Sequence, residues 1–283
     1  MARKAYKTDL TDAQWDLIKD VIPAAVPKPG CAPTDLREVV NTLLYQNKTG
    51  CQWDLLPHDL IAKSTAFDYY TRWQNDGTWD RLLDALRRRV RAEAGRDEEP
   101  TAAAIDSQSV PTTAGGGEER GYDGGKKVKG RKRHILVDTL GLLLAVVVTA
   151  ANAHDGKAAP RVVGSLALPT RAHLAKIFAD NTYNQAEFWR YLRDHPHIEL
   201  EIKQRPPGSK GFVVIRKRWV VERTFAWFGN YRRLVRDYEK RVHSSESRVK
   251  MAAIHGMLKR ITTANDQPPV HNINYPEPLY NVA

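Results

Sequence analysis

The chain has 283 residues, 42% of them hydrophobic, and a formal net charge of +11, which is length enough for two ordinary domains and a sizeable core. Its longest apolar run, LLLAVVV at 142–148, falls far short of the ~18–20 residues that span a bilayer. The N-terminus MARKAYKTDLTDAQW has no apolar signal core, and Cys31 and Cys51 lie outside any CxxC pattern. Membrane insertion, export, a disulfide framework and a zinc knuckle are therefore not expected, and a reducing cytoplasm is.

In chain order, residues 1–92 read as a helical domain. Thr11 to Gln14 has capping-box spacing and opens a helix with Trp15, Ile18, Val21 and Ile22 on one side. A stiff connector follows, with Pro23, Pro27, Pro29, Gly30 and Pro33. Asp35 starts a second helix carrying Val39, Val40, Leu43 and Leu44, and Gly50 ends it. Ser64 starts a third with Phe67, Tyr70 and Trp73 at helical spacing, and Gly77-Thr78 lead into a fourth with Leu82, Leu83 and Leu86. Short helices with tight connectors are compatible with a helix-turn-helix, as with any small bundle. Trp15, Trp53, Trp73 and Trp79 read as core.

Residues 93–101 are charged and end near Pro100, a linker pattern. Beyond it the pattern changes to strands at 102–110, 134–137 and 142–149, the last two joined by a hairpin turn at Asp138–Gly141. The glycine-rich loop 115–125 has no GK[ST], so it is not a phosphate-binding P-loop. Helix 158–166, strand 175–179, helix 185–193, strand 198–202, a long helix over 216–234 and a last one over 244–261 complete the domain 102–263. The class is α/β, a mixed sheet with helices on both faces. Residues 264–283 are proline-rich and read as a tail.

The charge is placed unevenly. Residues 1–100 hold 15 basic and 16 acidic residues, so the excess of positive charge lies wholly in 101–283, the expected polyanion surface. It clusters in Lys126, Lys127, Lys129, Arg131, Lys132 and Arg133, in Arg216, Lys217 and Arg218, and in Arg232, Arg233 and Arg236. The histidines form no HxxxH or HExxH, and there is no GxSxG elbow.

Three acids stand where burial is costly. Asp106 and Asp180 sit in or at the end of apolar strands, and Glu222 lies in the helix RKRWVVERTFAWF. Each has a local alternative: a turn for Asp106, a helix cap for Asp180, an i,i+4 pair with Arg218 for Glu222. Should they converge, they make a cage of hard oxygens for divalent metal, and two such ions activate an attacking oxygen and stabilise a leaving one in phosphodiester displacement.

Longer blocks carry a family resemblance. LTDAQWDLI, DLREVVNTLLYQNKTGCQWDLLPHD and YYTRWQNDGTWDRL, followed by IDSQSV, GYDGGKKVKGRKRHILVDTLGLLLAVVV and RWVVERTFAWFGNYRRLVRDYE, resemble the insertion-sequence transposases of the DDE superfamily. The resemblance covers about Leu10 to Ile261. It implies an RNase H-like catalytic domain behind a helical DNA-binding domain. It also implies Mg²⁺- or Mn²⁺-dependent cleavage at terminal inverted repeats, with two ions, and transfer of the 3′-hydroxyl into target DNA. Asp106, Asp180 and Glu222 match the three acids, and Arg218 keeps the Arg-x-x-x-Glu spacing. Relatives often carry tyrosine at the position of Ile215, lysine at that of Gly229, for which Arg232 or Arg233 is the expected substitute, and glycine in place of Thr182. The expected partner is double-stranded DNA, bound by a homodimer near the nucleoid, with no membrane and no small-molecule substrate. A decayed transposase that binds DNA without cutting is the alternative, and a general nuclease of the same fold a further one.

Overall fold

The computed structural model describes residues 3–25, 30, 32–204 and 217–264; Pro27, Pro29, Cys31, Ile215, Arg216 and the 265–283 tail lie outside them. The N-terminal region is helical: α1 (Asp12–Asp16), α2 (Leu36–Thr49), α3 (Lys63–Asn75) and α4 (Thr78–Glu93). Its start signals act as their chemistry requires. The Thr11 hydroxyl accepts from Gln14 N at 3.2 Å while Gln14 Oε1 accepts from Thr11 N at 3.1 Å, and the Asp35 carboxylate accepts from the N–H groups of Arg37 and Glu38. Gly50 ends α2 in the left-handed conformation, φ 73°.

Six strands form one sheet: β1 (Ala102–Pro111), β2 (Gly121–Asp123), β3 (Val128–Asp138), β4 (Leu143–Ala150), β5 (Lys176–Ala179) and β6 (Glu199–Ile202). The order is β4-β3-β1-β5-β6, with β2 also pairing with β3. The β1–β3 and β3–β4 pairs are antiparallel, and β1–β5 and β5–β6 are parallel. This is an RNase H-like mixed sheet. Parallel pairing needs crossovers, which α5 (Asp155–Gly164), α6 (Leu168–His173) and α7 (Ala186–Arg193) provide. The last helices among the described residues are α8 (Trp219–Phe228), α9 (Arg232–Val235) and α10 (Val242–Ala264).

The period-2 alternation of the strands sorts the core into two layers. Ala103, Ile105, Leu136, Val147, Ile177 and Ala179 face α5 and α7. Ala104, Ile135, Val137, Val148 and Phe178 face the other way, in one core with α8, α10 and the N-terminal helices. Trp73 and Trp79 are buried in that core, and Trp15 and Trp53 pack against it half-buried.

The first helix ends at Asp16, short of the expected Ile22, and β2 and α6 are elements not expected from the sequence; two further boundaries also differ. The long helix expected over 216–234 is divided, because Gly229 and Asn230, both weak helix formers, end α8 before α9 begins. The strand expected at 134–137 is the C-terminal part of an eleven-residue strand, β3, whose basic first half hid its extended character.

Candidate metal and DNA site

The alternation that sorts the core also aims the acids. In the parallel β1–β5 pair Ala104 stands beside Phe178. Two residues further along come Asp106 in β1 and Asp180 just past the end of β5, with the same parity and therefore on the same face, toward α8. Asp180 is the N-cap of the turn Asn181–Tyr183, accepting from Thr182 N at 2.8 Å.

The third acid is fixed by the β3–β4 turn. Asp138 holds that turn, its carboxylate accepting from Leu140 N and Leu142 N at 2.9 and 2.8 Å. Gly141 has φ +82°, and a Cβ there would lie 3.0 Å from Thr224 Oγ1; glycine lets α8 approach closely. Thr224 Oγ1 donates to Gly141 O at 2.9 Å, and Arg223 to Leu140 O at 3.1 Å. With Val221, Phe225 and Phe228 of α8 in the core, Glu222 is directed toward the Arg218 that also faces Asp106 in the middle of β1.

The three acids meet on one guanidinium. Arg218 Nη2 donates to Glu222 Oε1 at 2.6 Å, and Nη1 lies 3.6 Å from Asp106 Oδ2 and 3.8 Å from Asp180 Oδ2. The i,i+4 pair between Arg218 and Glu222 thus forms, and it includes the other two acids. Burial pushes the Asp106 carboxyl up to about 6, against the opposing pull of the Ser107 N–H and of Arg218. As these side chains stand, no group of three or more His, Cys, Asp or Glu among the described residues is spaced to hold a metal ion.

The basic run of β3 divides. Lys126, Lys127 and Lys129 are exposed, and Lys126 Nζ reaches Ser107 O, beside Asp106, at 3.4 Å. Arg131, Lys132 and Arg133 are buried, which corrects the expectation that they contact DNA. Arg131 donates to the carbonyls of Glu118, Glu239 and Lys240 and pairs with Asp237 at 3.2 Å. Arg133 donates to Leu234 O at 2.6 Å. Lys132 donates to Ala153 O at 2.8 Å and pairs with Asp155 at 3.1 Å on the opposite face of the sheet. Central-strand side chains point into a layer on either face, and these cations satisfy backbone carbonyls there.

Arg233 is likewise buried, paired with Glu239 at 2.8 Å. Arg232 is exposed, with its Cβ packed at Gly50. Neither contacts the acids. A cavity of about 610 Å³ opens beside Asp180 and Arg218, lined also by Asn181, Thr182, Gln185, Lys203 and Gln204. Sequence reasoning missed these residues. Amides scattered over two elements leave no periodic signal; the one available cue was that 181–185 and 203–204 each follow a strand end at the carboxyl edge of parallel strands, where open α/β sheets bind ligands.

An RNase H-like sheet with three acids gathered between β1, the end of β5 and α8, behind an N-terminal helical region, is consistent with the DDE transposase fold. Residues 97–255 match the family described as "Transposase DDE domain", more than half of the chain, and the protein belongs to that family. Residues 10–83 match the family described as "Putative transposase of IS4/5 family". Two proteins of Burkholderia cepacia are similar. One is a "Putative transposase for insertion sequence element IS402", 34% identical over 119 residues, covering 40% of this chain and 55% of that protein. The other is the "Insertion element IS402 uncharacterized 16.2 kDa protein", 32% identical over 116 residues, covering 39% of this chain and 78% of that protein. The match thus spans about half the length of the first of these relatives. Among the described residues no helix is long and apolar enough to cross a membrane.

Proposed function

We propose that the protein is a DNA transposase that cuts the ends of its element at terminal inverted repeats and joins the freed 3′-hydroxyls to target DNA, acting as a homodimer that brings two ends together. The observation that carries this reading is the convergence of Asp106, Asp180 and Glu222 on Arg218. Three carboxylates on one cation, held by two adjacent strands and a packed helix, form a rigid set of hard oxygen donors. Their chemistry fits Mg²⁺ or Mn²⁺, so these three residues would hold two such ions once Arg218 gives up its pairs. When bound, the metal supplies charge neutralisation at the phosphate and a more acidic attacking oxygen.

The chain's own residues do the rest. Arg218, released from the carboxylates, turns its fork to a phosphate, for which guanidinium geometry is suited. Lys126, Lys127 and Lys129 line the approach and hold the DNA backbone. The buried floor of β1 and β5 keeps Asp106 and Asp180 from moving apart, so the attacking water or 3′-hydroxyl meets a fixed site.

The second reading is binding without cutting, and Arg218 favours it, because a guanidinium now stands among the three carboxylates. The two separate on labelled duplexes carrying the inverted repeats that flank the coding sequence, incubated with Mg²⁺ or Mn²⁺. Metal-dependent nicking by the wild type and none by Asp106→Ala supports the transposase. Binding with no nicking by the wild type overturns it.

A further inference from the structure

The cavity beside Asp180 has an unusual lining. Among the described residues it contains three carboxamides, Asn181, Gln185 and Gln204, with the cations Lys203 and Arg218, and no apolar side chain. Pockets for small organic ligands are mostly apolar, so this one is built for a hydrogen-bonding, negatively charged group. Carboxamides present a donor and an acceptor side by side, the pattern that pairs with the edge of a nucleobase. Its volume of about 610 Å³ is in the range of ligand pockets generally. Because Asp180 and Arg218 belong both to the cavity and to the acid cluster, whatever fills it adjoins the reacting phosphate.

The amides are unequally engaged. Gln204 Nε2 donates to Asn181 Oδ1 across 3.4 Å, a long contact that leaves most of both groups unused. Gln185 has no side-chain hydrogen bond among the described residues, yet its stem is held. A Cβ on Gly156 would come within 2.3 Å of Gln185 Cγ and 3.0 Å of Thr182 O, so the glycine makes the space in which the Gln185 methylenes lie. Lys203 pairs with Glu201, a carboxylate it shares with Lys176, which also pairs with Glu199 at 3.0 Å, so a cation stands at the rim beside the amides.

We infer that this cavity is a nucleotide subsite: Gln185 reads the edge of the base next to the processed bond, Gln204 and Asn181 support it, and Lys203 holds the adjoining phosphate. The inference rests on the transposase reading and adds to it a residue that determines sequence preference. A glutamine is suited to adenine, through N6 and N7, whereas a glutamate accepts from N4 of cytosine.

The test uses the full-length protein in chelator, selecting from a duplex library with 30 randomised base pairs, roughly three helical turns, followed by sequencing. The wild type is expected to enrich a consensus with adenine at the position adjoining the cut. Gln185→Ala should lose that preference by about tenfold, at the low end for one bidentate base contact, and keep the rest of the consensus. Gln185→Glu should replace adenine by cytosine there, a gain that misfolding does not mimic. An unchanged consensus in Gln185→Ala, or loss of preference without a move to cytosine in Gln185→Glu, overturns the subsite. Failure of the wild type to enrich any consensus overturns end recognition itself.

Discussion

A carboxylate proposed to receive a metal is held against its own electrostatic preference. Asp106 lies in the sheet with its carboxyl raised to about 6, chiefly by burial, so ionising it at neutral pH opposes folding. A raised acid pKa contributes stability that is present below the unfolded value, near 3.9, and lost as pH rises through the folded value. Asp106→Asn, which cannot ionise, is therefore expected to be more stable than the wild type by about 2 kcal/mol at pH 7.5 in chelator. The gain should vanish near pH 4. Urea denaturation at the two pH values checks it, and equal stability at pH 7.5 would refute the account. Arg218 works in the opposite direction. Arg218→Gln leaves three acids without their common cation and should lower stability in chelator by about 1–3 kcal/mol. Mn²⁺ should then raise the melting temperature of this variant by more than it raises that of the wild type, because the ion no longer competes with the guanidinium. An equal or smaller rise would show that Arg218 and the metal do not contend for the same oxygens.

Strand β3 shows what a charge pattern conceals. Its first half, VKGRKRH, reads as a phosphate-binding run, and the structure leaves exposed only Lys129 at its start and Lys126 and Lys127 before it. In a central strand flanked by β1 and β4 both faces are covered, so Arg131 and Arg133 enter the interior and bind carbonyls. Replacing Lys126, Lys127 and Lys129 together by alanine should flatten the slope of log affinity against log salt by roughly 0.9 for each phosphate no longer neutralised, with the fold intact by circular dichroism. Arg131→Ala should instead cost about 3–5 kcal/mol by leaving Asp237 without its cation and removing the donor from the carbonyls of Glu118 and Glu239 in the interior. An Arg131→Ala protein as stable as the wild type would return that residue to the surface. The same contrast explains what could be read from sequence. Capping at Thr11 and Asp35, the glycine stop at Gly50, the hairpin turn at Asp138 and the strand end bearing Asp180 are local signals, each legible because a backbone group needs a specific partner or conformation. Whether a cation in a strand faces water depends on how many strands lie beside it, and the gathering of Gln185 with Gln204 depends on the β5–β6 pairing. Neither quantity is local.

At the scale of the whole molecule, the N-terminal helices and the sheet share a core. Helix α10 packs on α4, α2 and β4, and one apolar cluster runs from Leu10 through Trp73 and Val148 to Ile261. A polar network lies within the same junction. Glu239 pairs with Arg233 and with Arg248 at 3.1 Å, and the Arg248 guanidinium lies over Tyr70, 4.3 Å from the ring centre, and over Trp53. One carboxylate thus joins α9 and α10 to the aromatic wall of the helical region. Burial pushes the Glu239 carboxyl up, but Arg248 and Arg233 outweigh it and hold it below the ordinary range. A depressed acid pKa contributes stability that is present above the unfolded value, near 4.3, and is lost as pH falls through the folded value. Glu239→Gln is therefore expected to cost about 3–5 kcal/mol at pH 7, since it leaves two buried guanidinium groups without their anion. The penalty should shrink as pH falls below the unfolded value, near 4.3, and on through the lower value of the folded carboxyl. Because the pair ties α9 and α10 to the helical region, and α10 also packs on β4, the loss should appear in both regions at once: tryptophan fluorescence, from Trp15, Trp53, Trp73 and Trp79 in the helical region and Trp189, Trp219 and Trp227 beyond it, and far-ultraviolet ellipticity should shift together to lower urea. A variant in which fluorescence moves while ellipticity stays in place would show that the two regions unfold separately and that the shared core does not couple them.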